Sequence, residues 1–229
     1  MINSLSTKFL ISLSFFLNIT ILQSQKSDIW SDDNFTGLEF RSIGPALMSG
    51  RISDIAIHPE DENTWYVTVG SGNVWKTQNS GITWDPIFDD QASYSIGCVT
   101  IDPNNPEVVW IGTGEDQGGR HFGYGDGIYK SLDGGKNWTN MGLKNSERIS
   151  KIVIHPKNSN IVWVAVQGPL WSSGGQRGLY KTVDGGKNWK LVLKDNKWTG
   201  ATEVILDPSN NKVMYAALWQ RHRTVAAYM

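Results

Sequence analysis

Four segments of this chain are variations on one phrase: "RISDIAIHP" (Arg51 to Pro59), "SIGCVTIDP" (Ser95 to Pro103), "RISKIVIHP" (Arg148 to Pro156) and "GATEVILDP" (Gly200 to Pro208). Their prolines lie 44, 53 and 52 residues apart. A chain that repeats at such an interval builds units that cannot bury their apolar faces alone and must stack on neighbours. Each phrase is followed by a polar turn and a second apolar run: "TWYVTVG", "VVWIGTG", "IVWVAVQG" and "VMYAALWQ". In three repeats a third run comes next, "NVWKTQN", "GIYKSLD" and "GLYKTVD", and a fourth starts at a tryptophan. The runs are short, are bounded by Gly, Pro, Asn and Asp, and show no helical period, so they are strands. A four-stranded antiparallel unit of about 50 residues, repeated, predicts an all-β β-propeller. Runs such as "VVWI" and "IVWVAV" fit inner strands covered on both faces.

The third and fourth strands are joined by an eight-residue motif, "SLDGGKNW" (Ser131 to Trp138), repeated as "TVDGGKNW" (Thr182 to Trp189) and as "TQNSGITW" (Thr77 to Trp84). Repeated carboxylates invite a catalytic interpretation, but the third motif position is Asp133, Asp184 or Asn79. A hydrogen-bond acceptor tolerates that exchange, whereas a general acid or nucleophile does not. The motif is expected to fold a turn: the Asp or Asn accepts backbone N–H groups ahead of it, and the hydroxyl of Thr77, Ser131 or Thr182 braces the other side. Gly81, Gly135 and Gly186 permit a positive φ. Trp84, Trp138 and Trp189 bury apolar area and lock each hairpin onto its blade.

The motif resembles the Asp-box, or bacterial neuraminidase repeat, of sialidases, xyloglucanase-type glycoside hydrolases, sortilin-type receptors and a photosystem assembly factor. All are β-propellers in which the box is structural and lies on the rim away from the ligand site. "FRSIGPALMSGRISDIAIHP" (Phe40 to Pro59), "VWKTQNSGITWDPIFDDQ" (Val74 to Gln91) and "VVWIGTGE" (Val108 to Glu115) resemble exported bacterial proteins of the sortilin-like, "glycosyl hydrolase" BNR-repeat type. The resemblance covers roughly Phe35 to Arg223. It implies the fold and leaves activity open, because function resides in sites and not in folds. In the xyloglucanase-type relatives a catalytic Asp follows the second strand; the aligned position here is Gly70. "FRSIGP" echoes the sialidase Phe/Tyr-Arg-Ile-Pro only with two inserted residues.

Candidate ligand chemistry falls in the loops after the second strands, on the face opposite the turn motifs: "GEDQGGRHFGYGDG" (Gly114 to Gly127) and "QGPLWSSGGQRG" (Gln167 to Gly178). Glu115 and Asp116, with Asp126, are either an acid/base set for glycoside hydrolysis or loop charges and a turn cap. Arg120, His121 and Arg177 are candidate polar contacts. Tyr124, Trp171 and Trp219 either stack on a ligand or pack between loops. Arg51 and Arg148, equivalent in the repeat, either ring the channel mouth as an anion site or pair with Asp54, Glu147 or a loop carboxylate.

The apolar run "FLISLSFFLNITIL" behind Lys8 predicts a Sec-type signal peptide over residues 1–24, followed by the propeller over 25–229 with repeats beginning near 51, 95, 148 and 200. The destination is the periplasm or the exterior, with no membrane attachment after cleavage. Cys98 has no partner cysteine and is expected to be a small core residue. A net charge of −1 argues against a nucleic-acid partner, since phosphate binding wants a basic surface. No cofactor or metal is called for. The expected partners are an extracellular peptide, protein or polysaccharide, with an assembly or chaperone-like role as a third alternative. The fourth repeat holds two strands before "RHRTVAAYM", which predicts three and a half blades of a larger ring, completed by the remaining blades of a parent chain. Unpaired edges at the break are expected to promote association of the isolated chain.

Overall fold

The computed structural model describes residues 50–116 and 123–224. The expected signal peptide, the Phe40–Pro45 segment, Arg120 and His121 lie outside the described residues. Blade 1 comprises β1 (Ile52–Ile57), β2 (Trp65–Val69), β3 (Asn73–Thr77) and β4 (Asp85–Pro86). Blade 2 comprises β5 (Ile96–Ile101), β6 (Val109–Thr113), β7 (Ile128–Ser131) and β8 (Thr139–Asn140). Blade 3 comprises β9 (Ile149–His155), β10 (Asn158–Val166), β11 (Gly178–Thr182) and β12 (Lys190–Leu193). A half-blade follows, β13 (Thr199–Leu206) paired with β14 (Met214–Gln220). Within each sheet the strands pair antiparallel in chain order. The fourth strands begin one residue after Trp84, Trp138 and Trp189, which belong to the turns.

The first strands β1, β5, β9 and β13 stand side by side in sequence order and form the inner wall. Each carries a register shift at the third position of the repeat: Ser53, Gly97, Ser150 and Thr202. A bulge at the rim of a sheet bends the strand and re-aims the residue before it. Here it brings the backbone against the next blade. A side chain at Gly97 would collide with the carbonyl oxygen of Ile149, and the Ser150 hydroxyl donates to the Ala201 carbonyl at 3.2 Å. Thr100 likewise donates to the Ile152 carbonyl at 2.9 Å.

Apolar burial lies between blades. Tyr66, Val74 and Phe88 of blade 1 close on Ile96, Val99 and Ile111 of blade 2. Trp110, Ile128 and Leu143 of blade 2 close on Ile149, Ile152 and Val164 of blade 3. Trp163 and Leu179 of blade 3 close on Ala201 and Val204 of the half-blade. Cys98 is buried among the second group, and burial pushes its thiol well up.

The turn motifs superpose in their bonding. The hydroxyl of Thr77, Ser131 or Thr182 donates to the Asn or Asp two residues on, at 3.0, 2.8 and 2.7 Å. The same oxygen accepts the N–H of Gly81, Gly135 or Gly186, whose φ values are +88°, +92° and +98°. Asp133 and Asp184 then accept both the backbone and side-chain N–H groups of Asn137 and Asn188. Bonds from those asparagine side chains first, then from the neighbouring hydroxyl and backbone, hold both carboxyls at about 2, below the ordinary 3.8. A folded-state value below the unfolded one means that protons bind the unfolded chain better. Stability from these turns is therefore complete above about pH 4 and is lost as pH falls toward 2. Denaturation midpoints compared at pH 4.5 and pH 2.5 are expected to fall, and to fall less in Asp133→Asn/Asp184→Asn.

The tryptophan does something other than the sequence suggests. Trp138 donates its indole N–H to the Ile87 carbonyl of blade 1 at 2.7 Å, and Trp189 to the Met141 carbonyl of blade 2 at 2.8 Å. Trp138 meets Phe88 edge-on at 5.3 Å, and Trp189 meets Trp110 at 6.3 Å. Each therefore fastens its blade to the preceding one and not to itself. Trp84 has no described blade before it; it bonds within its own turn to the Gly81 carbonyl and stays exposed. Lysines work in the opposite direction: Lys76 and Lys130 reach the turn carbonyls of Gly134 and Gly185 in the following blade.

Candidate functional site

The opposite rim gathers the loops after the second strands. At the junction of blades 1 and 2, Glu115 is fully buried directly beyond β6, and the bulge in β1 delivers Arg51 to it. Arg51 Nε donates to Glu115 Oε1 at 2.7 Å and Nη2 contacts the same oxygen. Arg51 is half-exposed, so the counter-charge of a carboxylate with no direct access to solvent is itself hydrated. Its second oxygen, Oε2, is buried with no hydrogen-bond partner among the described residues. Gly70 is the reason it fits: a Cβ there would lie 2.7 Å from Glu115 Cδ. The space beside the second strand of blade 1 is thus filled by a carboxylate from blade 2.

The other sequence candidates are spread along this rim. Asp126 accepts the Tyr129 hydroxyl at 2.5 Å and is approached by the Thr113 hydroxyl at 3.4 Å, while its N–H donates to Thr113. Burial first, then the bond to Asp126, raises the Tyr129 hydroxyl above its ordinary value. Asp126 is therefore committed to its own blade and is tied to a tyrosine.

The Asp116 carbonyl receives Gln167 Nε2 at 3.4 Å and Arg221 Nη1 at 3.3 Å. Arg221 also donates to Gln167 Oε1 at 2.5 Å. These bonds stitch the rims of blade 2, blade 3 and the half-blade together. Arg148 is buried, bonded to Glu147 at 2.9 Å, and burial pulls it below the ordinary guanidinium range. Arg177, a candidate contact in the sequence, is a buried strut. It donates to the carbonyls of Pro169, Ser172, Gly174 and Trp198 at 2.5–2.9 Å and fixes the shape of the blade 3 loop.

Tyr124, Trp171 and Trp219 are among the aromatic rings exposed on this rim. Each carries a guanidinium over one face: Arg148 at 5.3 Å from the Tyr124 centroid, Arg223 at 5.5 Å from Trp171, and Arg221 at 4.4 Å from Trp219. Cation–π contacts of this kind hold a ring in place while leaving its other side to solvent. The sequence named these three rings and one of the arginines, Arg148, but not the pairing. Gln167 was marked only as the start of its loop and Arg221 not at all; the one available signal was their position at the ends of second strands.

Comparison with known proteins places the chain. It is 23% identical over 197 residues to a probable oligoxyloglucan-reducing end-specific xyloglucanase of Neosartorya fischeri, covering 77% of this chain and 22% of that protein. It is 23% identical over 209 residues to the xyloglucanase Xgh74A of Acetivibrio thermocellus, covering 78% and 23%. The chain thus spans less than a quarter of the length of these relatives. Among solved structures it resembles an ancestral GH74 enzyme with a TM-score of 0.57 at 21% identity, covering 73% of this chain and 22% of that one. The Niastella koreensis GH74 enzyme gives 0.52 at 25% identity, covering 70% and 24%. These likenesses support a fragment of a β-propeller. The family model for Sortilin-Vps10 (sortilin, neurotensin receptor 3) matches residues 72–224, well over half of the chain, and the chain belongs to that family.

Proposed function

We propose that this chain is part of an exported propeller that binds an extracellular polysaccharide through the rim carrying Tyr124, Trp171 and Trp219. The exposed, arginine-backed rings carry the reading. A planar aromatic with one free face suits the apolar face of a sugar ring, and three of them on consecutive blades suit an extended chain better than a compact ligand. The xyloglucanase names of the relatives favour a polysaccharide over a peptide.

Catalysis is the second reading, favoured by those same names. Against it stand the two carboxylates with described partners: Glu115 is neutralised by Arg51, and Asp126 is bonded to Tyr129. A glycosidase needs one carboxyl protonated and another facing the sugar. The test is a panel of xyloglucan, other β-glucans and a random peptide pool, with binding measured by calorimetry and cleavage by new reducing ends. Binding of a polysaccharide without new reducing ends is expected, weakened about tenfold in Trp171→Ala, or about 1.4 kcal/mol. Reducing ends that disappear in Glu115→Gln would establish the hydrolase instead. Preference for the peptide pool would overturn the polysaccharide.

A further inference from the structure

Asn73, Ser80, Leu143 and Glu147 are the described residues other than glycine with a positive φ. Three of them have a local reason. Asn73 is of a type that tolerates this conformation. Ser80 stands where the other turn motifs have Gly134 and Gly185, and Leu143 belongs to the core between blades 2 and 3. Glu147, at φ +52°, has none of these reasons, and its side chain is 30% exposed on the rim between two complete blades. The equivalent residues before β5 and β13, Tyr94 and Thr199, lack the positive φ, so the repeat itself does not impose it. Backbone held in this region gathers at ligand sites, where the surroundings over-determine it.

The contacts of the turn show what it positions. The Arg148 N–H donates to the Ser146 carbonyl at 2.6 Å across Glu147, and the Glu147 carbonyl accepts the N–H of Gly125 at 2.8 Å. Gly125 directly follows Tyr124, so the backbone of Glu147 anchors the loop that carries this exposed ring. Gly114 leaves room for that carbonyl, which any side chain there would strike. The Glu147 carboxylate accepts Arg148 Nη1 on Oε2 at 2.9 Å, and the same guanidinium lies 5.3 Å from the Tyr124 ring centroid. Ring and carboxylate thus share one guanidinium that is itself buried. The other carboxylate oxygen, Oε1, has no hydrogen-bond partner among the described residues.

We propose that Tyr124 and Glu147 form one subsite, built for a neutral hexopyranose unit; this rests on the reading of the rim as a polysaccharide site. The Tyr124 ring takes the apolar face of the sugar. Glu147 Oε1 accepts its hydroxyls in charge-assisted hydrogen bonds, which are stronger than neutral ones. A carboxylate at the contact repels a uronate or a sulfated sugar, so the unit it suits is uncharged. Arg148 holds ring and carboxylate in register, and at 1% exposure it leaves the sugar to them.

The test uses the whole chain, with xyloglucan as the neutral probe and polygalacturonate as the acidic one, and calorimetry as the measurement. Glu147→Gln keeps an oxygen for Arg148 and removes the charge offered to the sugar. It is expected to weaken xyloglucan binding about tenfold and to narrow the preference for xyloglucan over polygalacturonate, with the β-sheet circular dichroism spectrum retained. Tyr124→Ala weakens xyloglucan binding as well. The double variant loses less than the product of the two single losses, because both groups serve one sugar. Glu147→Gln combined with Trp171→Ala loses the full product. A residue that only neutralised Arg148 would lower the denaturation midpoint in Glu147→Gln and leave affinity unchanged. Full xyloglucan affinity in Glu147→Gln beside a weakened Trp171→Ala would therefore overturn the subsite and leave the polysaccharide rim standing. A preference for xyloglucan that Glu147→Gln leaves untouched would overturn its role in selecting a neutral sugar. An unsubstituted chain that binds neither polysaccharide would remove the rim reading and the subsite with it.

Discussion

Trp189→Ala is expected to destabilise the chain by about 3 kcal/mol, and Trp84→Ala by less than about 1 kcal/mol, although both residues close the same eight-residue motif. Trp189 crosses to the preceding blade, where its ring meets Trp110 and its N–H finds the Met141 carbonyl. Removing it takes away that apolar contact and leaves a carbonyl between two blades without its donor. Trp84 makes its edge-on contact with Trp65 of its own blade and its hydrogen bond within its own turn. Trp189→Phe separates the two contributions: it keeps an aromatic ring and loses about 1 kcal/mol for the missing N–H. Urea denaturation at low concentration, with equal slopes required before midpoints are compared, is the measurement. Equal losses for Trp84 and Trp189 would show that the indole serves its own hairpin after all.

That difference marks how far a single sequence carries the structure. Strand order and antiparallel pairing follow from turn chemistry local to each repeat: Gly135 and Gly186 sit at positive φ where the motif places them. Strand boundaries near the turns come within a residue for the same reason. Contacts between blades are another matter, because nothing in one repeat states how the next is rotated against it. The direction of Trp138, the reach of Lys76 to Gly134 and the seating of Ser150 against Ala201 all depend on that rotation. The bulges at Ser53, Gly97, Ser150 and Thr202 carry no composition signal, since Ser, Gly and Thr at the start of an apolar strand are ordinary. Among the candidate site residues, exposed aromatics on long loops were legible from loop length and residue type. The burial of Arg177 and Glu115 was not, because both lie in glycine-rich loops where charges are normally solvated.

Arg51→Met is expected to cost about 2–3 kcal/mol, and Glu115→Gln about 1 kcal/mol or less, even though the two substitutions break the same ion pair. The asymmetry follows from burial. Deleting one partner of a buried pair is damaging when the charge left behind has no access to water. Glu115 is that charge: one oxygen rests on Arg51 and the other has no described partner. Arg51, half-exposed, hydrates readily once Glu115 is neutral. The double variant Arg51→Met/Glu115→Gln is therefore expected to recover most of the loss, and a double-mutant cycle read by thermal or urea denaturation measures the coupling. Additive losses would show that the pair is a rim contact of little weight. The cycle also bears on chemistry. A carboxylate kept for structure is replaceable by glutamine with ligand binding intact, because the blade junction needs its shape more than its charge. A carboxylate kept for catalysis differs in one respect: glutamine again leaves the fold standing but removes turnover. Reducing-end release, measured on a Glu115→Gln protein whose stability shows it to be folded, therefore separates a binding rim from an active site.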